Sequence, residues 1–229
     1  MGSFVLPGLQ VSATTPHMNP IILKELRHHG PFTLLGAAVS VFIMMAIRRW
    51  APEALSTARA EELFEFSHPL HVVLSALVTA AMYRNYRARA KRSRAGLLAV
   101  VLVGYFGSIG IATLSDCLIP YWVELLLGME HARAHLGIVE MPIIINLAAL
   151  LGVGAAFFSS KTHFPHAGHV LLSTMASLFH ILRAQEGLFG MGESLLVVLF
   201  LFIAVWIPCC LSDIAFPLFF TGSRENHRH

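Results

Sequence analysis

Long apolar runs separated by short polar clusters dominate this chain. Residues 31–47 are apolar without interruption between Arg27-His28-His29 and Arg48-Arg49, long enough with their flanks to cross a hydrocarbon core of ~30 Å. Runs of the same kind follow at residues 63–83, 96–121, 141–158, 164–182 and 195–219. The pattern predicts six transmembrane helices and an all-α integral membrane protein. Residues 51–62 read as a polar connection with a short surface helix, residues 84–94 as the most basic loop, and residues 122–140 as a longer polar connection. Pro120, Pro208 and Pro217 are expected to bend or end their helices, because each removes an amide donor and clashes with the preceding turn. Gly104, Gly107 and Gly110 form a small-residue strip that would let a neighbouring helix come close.

Polar motifs recur inside this apolar background. F-S-H-P-L-H-V-V-L-S at 66–75 returns as F-P-H-A-G-H-V-L-L-S at 164–173, and L-S-D-C-L-I-P at 114–120 returns as L-S-D-I-A-F-P at 211–217. A weaker echo links T-L-L-G-A at 33–37 with A-L-L-G-V at 149–153. Repetition in one order at nearly one separation points to a duplicated three-helix unit. A unit of three spans ends on the face opposite to its start, so the second copy must be inserted upside down. The expected architecture is therefore two inverted three-helix repeats, residues 21–128 and 141–220. A flexible lead (1–20) precedes them, a polar external connection (129–140) joins them and a mobile tail (221–229) follows. Inverted repeats of this kind are common in secondary transporters.

Composition agrees with the pattern. Of 229 residues, 56% are hydrophobic and 13% charged, against roughly 25% charged in soluble proteins. A net charge of +3 is too small and scattered to argue for nucleic acid. The N-terminal residues lack the basic, apolar and small-residue order of a cleavable signal, and Met18 is an alternative start. Lys24, Arg27, the basic loop, Lys161, Arg224 and Arg228 outnumber the basic residues of the other face. Both termini are thus expected in the cytoplasm of a cell (inner) membrane protein. Cys117, Cys209 and Cys210 lie in or beside apolar runs and read as packing residues before soft metal ligands.

The candidate chemistry lies in the repeats. His68 and His71, at i and i+3, share a helix face, and Asp116 returns to similar depth on the third span. Two imidazoles and a carboxylate suit Zn²⁺, Fe²⁺, Co²⁺, Ni²⁺ or Mn²⁺ with positions left open. His166, His169 and Asp213 repeat the set. Counted from the starts of their spans, His71 and His169 fall ~10 Å in from opposite faces, which makes two separate sites the simpler expectation. Glu65, Glu124, Glu140, His131, His135 and His163 are further potential ligands. Ser75, Ser115, Ser173 and Ser212 read as interhelical hydrogen-bonders and His180 as a packing residue.

The function this supports first is a metal transporter, with the lipid bilayer and the metal ion as partners and a homodimer left open. The alternatives are a membrane-embedded metalloenzyme, with non-haem iron or zinc acting on a lipid-like or small substrate, and a haem-binding electron carrier. Nucleotide-binding and hydrolase motifs are absent.

Overall fold

The computed structural model describes residues 18–89, 96–158, 163–184 and 189–210. The lead before Met18, the heart of the basic loop, the side chains of His163, His166 and Cys210, and the stretch holding Ser212, Asp213, Pro217 and the tail lie outside these residues. About 90% of what is described is helical and none of it is strand. The long helices are α1 (Met18–Trp50), α2 (Thr57–Arg89) and α3 (Leu97–Thr113), which continues through a π turn (Leu114–Leu118) into α4 (Ile119–Leu126). The short α5 (Gly137–Glu140) precedes α6 (Pro142–Phe158), α7 (His163–Ala184) and α8 (Met191–Cys210).

Two boundaries differ from the expectation. The polar connection after α1 is only a 3₁₀ turn at Pro52–Leu55, and α2 starts at Thr57, a turn and a half before the apolar run. Ser56 is responsible: its extended backbone breaks the 3₁₀ turn and its hydroxyl accepts the Arg59 N–H at 3.3 Å, as an N-cap side chain does. Arg59 and Glu62 then pair at 2.6 Å on the exposed face. Further along the chain, α4 stops in a Schellman turn. Gly128 adopts φ 64°, and the Met129 N–H reaches back to the Glu124 carbonyl at 3.0 Å, which lets glycine end the helix without a Cβ penalty.

Among the described residues, four segments are long and apolar enough to cross a membrane: Thr33–Trp50, Pro52–Asn85, Leu97–Leu126 and Met191–Cys209. α6 is apolar but has 17 residues. α7 is diluted by Ser173, Thr174, Ser177, His180 and Arg183. The packing explains how α7 carries them. α2 and α7 lie side by side at the centre, with α3 and α6 against α2 and α1 and α8 against α7. On α7, His169, Ser173, Thr174, Ser177 and His180 are all buried. The outer helices show the opposite pattern, with Leu35, Phe42, Leu147, Leu151, Leu195 and Leu199 exposed as a lipid-facing surface would be. Arg48, at the end of α1, donates to the Leu182 carbonyl near the end of α7 at 3.1 Å.

Close helix contact depends on particular glycines. A Cβ on Gly104 would lie 2.8 Å from both Ala80 and Val153, so α2, α3 and α6 converge there. Gly110, two turns along the expected strip, contributes less, since a Cβ there would meet nothing within 4 Å. On α6, a Cβ at Gly152 would sit 2.2 Å from the Val73 carbonyl of α2, whereas one at Gly154 would meet nothing within 4 Å. Gly152→Ala should therefore destabilise the fold by about 1–3 kcal/mol through overpacking, while Gly154→Ala, one residue-pair along the same helix, should be neutral or slightly stabilising. Thermal unfolding of the two variants in detergent checks this, and equal midpoints would count against the α2–α6 contact.

Candidate metal centre

Three of the segments that carry candidate ligands hold a proline near them. Pro120 has no N–H to give, and the helix absorbs this by widening just before it: the Ile119 N–H bonds the Leu114 carbonyl across a π turn. The Ser115 carbonyl then lacks its usual helical donor and instead takes the Ser177 hydroxyl from α7 at 2.9 Å. Such π turns are frequent at functional sites. This one turns Ser115 and Asp116 inward, both completely buried. Pro69 stands between His68 and His71 in α2, and Pro208 precedes Cys209 in α8.

Asp116 is the hub. Its Oδ2 lies 2.8 Å from His68 Nδ1 and 2.6 Å from His71 Nδ1. Its Oδ1 accepts the Ser115 hydroxyl at 2.7 Å and the Ser173 hydroxyl at 2.9 Å. Four donors fill what a carboxylate can accept. The grouping of His68, His71 and Asp116 expected from their spacing is thus present in the fold. Ser173 also acts across helices, in line with its sequence reading.

His169 departs from expectation. Its ring stacks on that of His71, centroids 4.7 Å apart and planes 22° from parallel, so histidines of the two F-x-H-x-x-H motifs meet and do not occupy separate ends. The reason is the earlier start of α2. With the helix beginning at Thr57, His71 lies ~21 Å from that end, and His169 lies ~22 Å from the adjacent end of α7 at Ala184. Two helices running in opposite directions then bring them to one level.

Cys209, read from sequence as a packing residue, joins them. His71, His169 and Cys209 offer ligand atoms all within 4.8 Å of one another, as do His68, His71 and Asp116. All five residues are buried, and these groups could hold a metal ion. A sequence signal for Cys209 existed: it stands four residues before Asp213, a spacing that shares a helix face. Cys117, beside Asp116, is buried in the apolar core and belongs to neither group.

A second polar cluster lies toward the start of α2. Glu124, named above as an additional ligand, binds His180 Nδ1 at 2.7 Å and the Arg133 N–H at 3.2 Å, well apart from Asp116. These residues, with Glu61, His131 and His135, line a cavity of about 380 Å³. His135 is held by Glu140 at 2.8 Å. Phe64 separates this cavity from the centre: His180 meets its ring edge-on at 5.4 Å, His68 stacks on it at 5.2 Å, and the Arg183 guanidinium lies 4.4 Å from its centroid. Neither Phe64 nor the Glu124–His180 pair was legible in the sequence. A separate apolar cavity of about 480 Å³ between α1, α2 and α7 is lined by none of the clustered His, Asp or Cys residues.

Asp116 can be tested without reference to any ion. Asp116→Asn keeps an acceptor for the two imidazoles and turns its amide toward hydroxyls able to accept, so it should fold with a modest loss. Asp116→Leu orphans four buried donors at about 1–3 kcal/mol each, enough to remove most of the folded population. Detergent-solubilised yield and thermal midpoint distinguish these outcomes, and equal behaviour of the two would deny Asp116 its role as hub. No protein-family model, curated protein or solved structure matches this chain.

Proposed function

We propose that the protein is a membrane transporter for a divalent transition metal, built as six spans in two inverted repeats. The observation that carries the reading is the meeting of His71 with His169. They occupy equivalent places in the two copies of the F-x-H-x-x-H motif, and equivalent residues can stack only on or near an axis relating the copies. The helix pairings support the same relation: α2–α3 is mirrored by α7–α8, α2–α6 by α7–α1, and α3–α6 by α8–α1. α6 and α7 are the fourth and fifth spans in this reading, α7 being admitted to the bilayer because its polar face is covered.

In this scheme His68, His71 and Asp116 serve from the first half, and His166, His169 and Asp213 from the second. A ligand pair on the axis can serve an outward-open and an inward-open state equally, as exchange of two like halves requires. The cavity beside Glu124 and His180 lies at the end of α2 assigned to the outer face and gives a polar approach that stops one ring short of the cluster. The histidine-rich centre binds metal through neutral imidazole lone pairs, so protons compete with the ion and acidification releases it. The metalloenzyme reading is less favoured, because the apolar cavity of about 480 Å³ is lined by none of the clustered residues.

Purified protein should retain a transition metal through dialysis at neutral pH and lose it at acid pH, and proteoliposomes should take the ion up. His71→Ala combined with His169→Ala should abolish both retention and uptake while leaving the helical circular dichroism intact. Unchanged metal content in that double variant would remove the proposal.

A further inference from the structure

The two ligand groups share His71, and the geometry around it separates their roles. Asp116 has both oxygens engaged by side-chain donors. Because His71 uses Nδ1 toward that carboxylate, its lone pair is left on Nε2. That nitrogen is completely buried and has no hydrogen-bond partner among the described residues. An imidazole braced at one nitrogen by a carboxylate and presented at the other is the usual form of a metal-binding histidine.

His68 is not equivalent. A Cβ on Gly137 would lie 2.4 Å from His68 Nε2, so α5 closes off that nitrogen, and Phe64 covers the ring face. His68 therefore braces Asp116 and has little room for an ion of its own. The ligand atoms of His71, His169 and Cys209 lie within 4.8 Å of one another, with the His169 ring stacked on the face of His71.

We infer that the ion's seat is His71 Nε2, His169 and the Cys209 thiolate, with Asp116 and His68 as its bracing layer, and that the cargo is a thiophilic cation of the Zn²⁺ type. This rests on the metal-binding reading and narrows its substrate class. Two imidazoles and a thiolate suit Zn²⁺, whereas Mn²⁺ favours carboxylate, carbonyl and water oxygens. On binding, the Cys209 S–H bond breaks, the sulfur forms a bond to the ion and one proton leaves to solvent, with no change of oxidation state.

Full-length protein in detergent, loaded with Zn²⁺, should show a sulfur neighbour at about 2.3 Å by X-ray absorption. Co²⁺ loading should give a near-ultraviolet thiolate-to-cobalt charge-transfer band, and Mn²⁺ should compete weakly. Cys209→Ser should remove the band and weaken Zn²⁺ binding tenfold or more, whereas Cys117→Ser should keep both. Zn²⁺ bound to wild-type protein through nitrogen and oxygen alone would overturn this inference and leave the metal-binding proposal standing. A wild-type protein that binds neither Zn²⁺ nor Co²⁺ would overturn both. The wild-type spectra decide the matter even where Cys209→Ser fails to fold.

Discussion

A carboxylate held inside an apolar helix bundle must find all its hydrogen bonds from the protein, and the arrangement around Asp116 follows from that requirement. Water cannot reach it, and an unpaired buried charge costs several kcal/mol or more. The four donors come from three helical segments: His68 and His71 from α2, Ser115 from the π turn, and Ser173 from α7. Meeting one residue's needs therefore fixes how those segments sit against one another. The π turn before Pro120 is part of the same solution, since the carbonyl it strands is satisfied by Ser177, one turn along α7 from Ser173.

This constraint also accounts for the layering. The polar residues needed at the centre make α7 too hydrophilic to face lipid alone, so it must be enclosed. α1, α6 and α8 supply exposed leucines, isoleucines and phenylalanines toward the outside. Hydropathy recognises the covering helices readily and undervalues the covered one. Tight approach of α6 to α2 then depends on Gly152, and convergence with α3 on Gly104.

Much of this was legible in the residues themselves. The apolar runs marked the helices, and the spacing of His68 and His71 with a returning Asp116 marked the hub. Depth was not legible, because it depends on where a helix starts, and Ser56 starts α2 in polar sequence that an apolar run does not include. That displacement moved His71 to the level of His169. Cys209 was obscured for a different reason: a cysteine in an apolar run packs like a small hydrophobe, and only the neighbouring helices distinguish packing from ligation. The Glu124–His180 pair joins residues on different helices with no shared motif, so no periodicity could announce it. His166 and Asp213 belong to a motif clear in sequence but fall outside the described side chains.

The contacts that join α2 to α7 and the atoms offered to an ion are largely the same. The His71–His169 stack spans that interface, and the Ser173 hydroxyl fastens α7 to the carboxylate that orients His71. An ion drawn between the two imidazoles would have to spread the stack and turn the rings, which works directly on the packing of the two central helices. A site on one helix could fill without consequence for the rest of the bundle. A site divided between α2 and α7 cannot, because its occupancy and their relative position are set by the same distances. A ligand shifts a conformational equilibrium only by its difference in affinity for the two states, and divided ligands are the simplest means of making that difference large.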